Sequence, residues 1–345
     1  MQASSITSKE TFPSPRVTEA ERREDAAQSS LALSREVPGQ RRVLAKIPGQ
    51  INPPHTLVLE HPASSNTNAK PVFVLGSGRS GTTLMGAYIG SASSMLDMGE
   101  YFGFHLSHNV APLEVGGAPT QFRDAYLQSV KNHALTFACE MAVLHGCQYF
   151  CDSTPWNIES APSLVQSMPN AIFILMVRHY SGVCLSLEES YKSGRRWAGA
   201  TWQQRAELWK RCYDNAKFLP ADRTVAVSYD RLCQDPEKTL GEMESALKAL
   251  EFPTETLNRS KLAKRYASSE SAKAAKRQIA VETDDGIEYR RVPSVDTARW
   301  TPDVQASVAS IVAETELILL EKFPHAYDAD AVANSSSDKV GRAGQ

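Results

Sequence analysis

The stretch from Pro71 to Met85 reads PVFVLGSGRSGTTLM, and its character changes twice. Val72 to Leu75 is a short β-prone run that stops at Gly76. Small, polar and basic residues follow through Thr83, and a helical pattern then opens at Leu84 and Met85. A strand that turns through glycines into a helix is the context a phosphate-cradling loop requires. The glycines let successive backbone N–H groups converge on one anion, and the helix N-terminus adds partial positive charge. Candidate anion contacts are Ser77, Gly78, Arg79, Ser80, Gly81, Thr82 and Thr83. The nucleoside triphosphatase form of this loop needs Lys before its final Ser or Thr, where this chain has Thr82. No strand ending in a magnesium-binding Asp is evident, which counts further against ATP or GTP hydrolysis.

Outward from the loop, two more apolar runs end in functional residues: Ala171 to Val177 before Arg178, and Thr224 to Val227 before Tyr229. Continuous apolarity suits strands buried on both faces, and the longer helical patterns between them predict an α/β fold of three layers, a parallel sheet flanked by helices. Ligands of such sheets bind at the carboxyl ends of the strands, where these polar residues gather. Asp235 with Pro236 reads as the start of a helix to about Leu250, and Thr301 with Pro302 as the start of one to about Lys322.

The run Arg79-Ser-Gly-Thr-Thr-Leu-Met85 resembles the 5′-phosphosulfate loop of sulfotransferases that use 3′-phosphoadenosine 5′-phosphosulfate (PAPS). The form with Arg is similar to carbohydrate, tyrosylprotein and bacterial members, and the resemblance implies a P-loop-like sulfotransferase fold. It also implies that Arg79 contacts the bridging oxygen and sulfuryl group and neutralises charge on the leaving phosphate. The family's 3′-phosphate motif has Arg at a strand end and Ser eight positions later; Arg178 and Ser186 match in type, spacing and context. His179, Tyr180, Ser181 and Gly182 depart from the more usual Asn/Asp-Pro-x-Asp between them, which puts the loop shape in question. Tyr229, in SYDRLCQDPEKTL, falls where the family has a Tyr near the adenine, and Arg290 and Arg291 precede Trp300 as a basic loop does in relatives.

An acceptor hydroxyl or amine needs a positioned base. Glu100 lies 21 residues after Arg79 (100 − 79), where tyrosylprotein and several bacterial relatives present Glu; His105 and His108 are the competing choices. In Asp152-Ser153-Thr154-Pro155-Trp156, Ser153 stands where the family normally has Lys. Either Arg79 carries more of the electrostatic work, or the Ser153 and Thr154 hydroxyls also hold the sulfuryl group. Tyr101, Phe102, Phe104 and Trp156 suit a wall for a ring or alkyl acceptor and suit core packing equally.

The chain of 345 residues has a formal net charge of −2, so any attraction for anions is local, and neither nucleic acid nor an anionic membrane is an expected partner. The six cysteines form no C-x-x-C pair and have no His partner at zinc-finger spacing, so they read as reduced thiols with no metal role. No signal-like or membrane-spanning run is present, which predicts a cytoplasmic protein. Residues 1–40 and 328–345 have the polar composition of a disordered leader and tail, leaving 41–327 as a single domain. The expectation is an enzyme moving a sulfuryl group from PAPS to a small-molecule acceptor without metal. The alternatives are a P-loop kinase or NTPase and a catalytically silent nucleotide-binding protein.

Overall fold

The computed structural model describes residues 69–109, 120–262, 280–283, 286–289 and 300–327. The expected leader and tail, together with Arg290 and Arg291, lie outside the described residues. Five strands form one sheet: β1 (Lys70–Gly76), β2 (Met95–Asp97), β3 (Tyr149–Asp152), β4 (Ile172–Val177) and β5 (Thr224–Ser228). Their order is β2-β3-β1-β4-β5, and every pairing is parallel. The three strands legible in the sequence are β1, β4 and β5; β2 and β3 extend the sheet on its other side. A separate antiparallel pair, β6 (Ala280–Thr283) and β7 (Gly286–Tyr289), follows.

Period-two alternation explains how one apolar run serves two cores. Phe73, Leu75, Phe173, Leu175 and Val177 face one side, against helices α3 (Thr120–Leu144), α5 (Tyr180–Lys192), α6 (Trp202–Tyr213) and α9 (Pro302–Lys322). Val72, Val74, Ile172, Ile174 and Met176 face the other, against α1 (Thr82–Ile89), α7 (Tyr229–Gln234) and α8 (Pro236–Ala249). Both faces are covered, so the chain is a three-layer α/β fold. Both expected helix starts are caps: Asp235 accepts from Lys238 N, and Thr301 accepts from Val304 N. Helix α6 begins with a capping box between Thr201 and Gln204. Among the described residues no helix is long and apolar enough to cross a membrane.

The sheet order places a switch point between β1 and β4. The chain leaves β1 toward β2 on one side and leaves β4 toward β5 on the other, which opens a crevice at their carboxyl ends. Register fixes Gly76 opposite Met176, so the turn after β1 and Arg178 after β4 emerge side by side.

Helix α1 lies close to the end of β3: a Cβ on Gly86 would stand 2.4 Å from Ser153 Cβ. Gly86→Ala is therefore expected to lower stability by about 1–3 kcal/mol through overpacking, despite the better helix propensity of Ala. Urea unfolding measures it, and Gly86→Ala is expected to cost less in a Ser153→Gly background than in the wild type.

Candidate functional site

The loop after β1 is shaped by its smallest members. At Gly76 a Cβ would meet Ser80 Oγ at 2.5 Å and the Met176 carbonyl at 2.7 Å, so no side chain fits. Ser80 donates to the Ser77 carbonyl through its N–H (3.1 Å) and its hydroxyl (2.7 Å), which closes the turn. Gly81 has φ +96°, and a Cβ there would stand 2.5 Å from the Tyr229 ring. Arg79 also takes a left-handed backbone (φ 73°), an uncommon conformation for a residue with a side chain. Helix α1 starts directly afterwards, and the first N–H groups of a helix have no partner within it. They point into the crevice with the positive end of the helix dipole.

The two basic motifs meet here. Arg79 Nε donates to Ser186 Oγ at 3.0 Å, and Arg178 Nη1 donates to the Arg79 carbonyl at 2.8 Å. The Arg178 guanidinium lies 4.4 Å from the Tyr229 ring centroid, so Tyr229 at the end of β5 supports a cation. Arg178 Nε is buried without a hydrogen-bond partner in the protein, and a Cβ on Gly182 would stand 2.8 Å from it. That leaves a donor which an anion's oxygen would satisfy. Beneath, Trp209 Nε1 donates to the Arg178 carbonyl (3.0 Å) and Tyr213 Oη to the Met176 carbonyl (2.7 Å).

The residues that depart from the usual motif do the same local work by another route. His179 caps α5: its Nδ1 accepts from Ser181 N at 3.3 Å and contacts Ser181 Oγ at 2.7 Å, while its own N–H donates to Asp230 Oδ2 at 2.8 Å. A histidine thus fills the capping position usual for Asn or Asp.

Of the three possible bases, Glu100 is joined to the loop. It is exposed, and its Oε1 accepts from Thr83 Oγ1 in the first turn of α1 at 3.1 Å. The segment after β3 clamps the turn that carries it. Ser153 donates to the Gly99 carbonyl through N–H (2.8 Å) and hydroxyl (3.1 Å), Asp152 Oδ1 accepts from Tyr101 N (3.4 Å), and Thr154 Oγ1 accepts from Phe102 N (3.1 Å). Ser153 and Thr154 are 1% and 0% exposed, so their hydroxyls belong to this framework rather than to the crevice. Burial pushes the Asp152 carboxyl above the usual range, an effect opposed by hydrogen bonds from Thr154, Asn157 and Tyr101.

His105, on α2 (Gly103–His108), has Nδ1 at 2.9 Å from the Trp156 carbonyl. His108 turns toward α3 and α4 (Ala161–Ser167): its Nδ1 meets Ser163 Oγ at 2.8 Å, and Lys131 Nζ donates to the same oxygen. Burial, then the Lys131 charge, pulls its pKa down to about 4. A further residue, Trp197, lies against the loop: a Cβ on Gly78 would stand 3.3 Å from its ring and 4.0 Å from that of Trp156.

The His108 ring titrates near 6.5 when unfolded, so below that pH the unfolded chain binds a proton that the folded chain resists. Stability is expected to fall as pH drops from 6.5 toward 4. Melting temperatures across that window are expected to fall more steeply for the wild type than for His108→Gln.

No curated protein matches the chain. Among solved structures it is similar to a sulfotransferase domain from the curacin biosynthetic pathway, with 16% identity over 71% of this chain and 96% of that one, TM-score 0.46. It is also similar to a sulfotransferase domain from the Synechococcus PCC 7002 olefin synthase (15%, 71% and 95%, TM-score 0.40). A sulfotransferase from Alicyclobacillus acidocaldarius is a third (12%, 76% and 98%, TM-score 0.44). The profile of the sulfotransferase family matches residues 71–254, more than half of the chain, and the chain belongs to that family.

Proposed function

We propose that this protein transfers a sulfuryl group from PAPS to a hydroxyl or amine of a small-molecule acceptor by single in-line displacement. The observation that carries the reading is the pair of contacts joining Arg79, Arg178 and Ser186, which makes one site of two basic motifs. A donor bearing both a 3′-phosphate and a 5′-phosphosulfate needs two anion subsites separated by a nucleoside. The loop amides and α1 suit the 5′ side; Arg178, with its unspent Nε, and Ser186 suit the 3′ side. Tyr229, whose ring lies beside Gly81 and carries the Arg178 guanidinium, is a further proposed contact to the base.

PAPS, when bound, supplies an electrophilic sulfur and a phosphate leaving group. Arg79 neutralises charge that grows on the leaving phosphate, and the fixed loop amides do so without reorganisation. Glu100 takes the acceptor's proton, with the Thr83 hydroxyl holding its carboxylate toward the loop. With Ser153 and Thr154 engaged by the framework, Arg79 carries the electrostatic work that relatives share with a Lys. Arg290 and Arg291 are further proposed contacts to the 3′ side.

Isothermal titration is expected to show tighter binding of 3′,5′-diphosphoadenosine than of ATP with magnesium; preference for ATP would overturn the reading. Arg178→Met is expected to weaken 3′,5′-diphosphoadenosine by about tenfold or more, and 5′-AMP by less, because only the former carries the 3′-phosphate while both feel the lost hydrogen bond to the Arg79 carbonyl. Arg79→Ala and Glu100→Ala are each expected to lower kcat by about 10²-fold or more. Turnover within about twofold of wild type would remove the assigned role.

A further inference from the structure

The four aromatic residues that follow the loop helix separate into two groups. Phe104 is fully buried, stacked on Phe150 with centroids 5.7 Å apart and edge-on to Phe73 at 5.1 Å. Tyr101 stacks on Phe137 at 5.6 Å, on the α3 side. These two belong to packing. Phe102 and Trp156 instead join Trp197 in a row: Phe102 to Trp156 at 5.6 Å, and Trp156 edge-to-face with Trp197 at 5.3 Å. Trp197 is 42% exposed, and both indoles lie against Gly78, the residue before Arg79.

The row is built rather than incidental. Phe102 has φ 58°, and among the described residues Arg79 is another of the few non-glycine positions with left-handed backbone. Such strain persists only where surrounding contacts impose it. Here Thr154 Oγ1 accepts from Phe102 N, and the Trp156 carbonyl meets His105 Nδ1. The Ser153 and Thr154 hydroxyls beside the row are taken up by the Glu100 clamp, and His105 Nδ1 by the Trp156 carbonyl. A polyol would find no free row of partners among these residues, whereas a flat apolar ring would find faces to cover.

Building on the PAPS reading, we infer that the acceptor is an aromatic alcohol whose ring lies along Phe102, Trp156 and Trp197, with its hydroxyl between Arg79 and Glu100. The phenolic oxygen attacks sulfur as the sulfur–oxygen bond to the 5′-phosphate breaks. The proton passes to Glu100, and the products are an aryl sulfate and 3′,5′-diphosphoadenosine. Trp197, as the exposed end of the row, contributes more to acceptor affinity than to donor affinity.

The test uses the full chain with 2-naphthol, cyclohexanol and N-acetylglucosamine as acceptors. Sulfation is read by mass spectrometry, and 2-naphthol binding to the complex with 3′,5′-diphosphoadenosine by calorimetry. Expected are sulfation of 2-naphthol with the highest kcat/KM, and about a tenfold loss of 2-naphthol affinity in Trp197→Ala, a larger change than that in the PAPS KM. Trp197→Phe is expected to restore most of that affinity, which separates ring contact from a loss of structure. If 3′,5′-diphosphoadenosine binds but the sugar or cyclohexanol is preferred, if no acceptor is sulfated, or if Trp197→Ala leaves 2-naphthol binding unchanged, the inference is overturned while the donor reading stands. Failure to bind 3′,5′-diphosphoadenosine overturns both.

Discussion

The crevice depends on a reciprocal contact across the switch point of the sheet. Arg178 donates to the carbonyl of Arg79 while Arg79 donates to Ser186, so each basic loop holds the other in place. A left-handed arginine costs on the order of 1–3 kcal/mol and has to be imposed by its surroundings. The surroundings do so through the pairing of Gly76 with Met176, the closure of the turn by Ser80, and the support of the β4 end by Trp209 and Tyr213. The two-sided core is what keeps those strand ends at fixed height, since Phe73 and Phe173 pack on one face and Val74 and Ile174 on the other.

Much of this frame is legible in the residues. β1 and β4 are apolar runs that stop at a glycine and an arginine, β5 is a short apolar run closed by Ser228 just before Tyr229, and the Asp-Pro and Thr-Pro pairs mark two helices because Pro needs no N–H in a first turn. β2 and β3 are less visible for physical reasons. β2 has three residues, too few to alternate, and β3 has four, of which only Phe150 and Cys151 are apolar and fully buried. Within the candidate site, the loop is readable because a tight turn into a helix demands glycines, and the Arg178–Ser186 spacing through its resemblance to the family's motif. The His179 cap, the clamp on Gly99 and the placement of Trp197 depend on contacts between distant segments, which no local pattern encodes.

Charge is organised on the same principle. The chain as a whole is close to neutral, yet Arg79, Arg178 and the α1 dipole converge on one crevice. Fields of this kind act over about a Debye length of 8–10 Å at ordinary salt, so they act on a ligand already in the crevice and do little to draw one from bulk solution.

The contact between Gly86 and Ser153 reaches beyond packing. Because the Ser153 side chain is sealed under α1, no longer side chain can enter that position unless the helix or the end of β3 moves. Ser153→Lys made alone is thus excluded by sterics, and a lysine there needs a change in a second segment of the chain, α1 or the turn after β3.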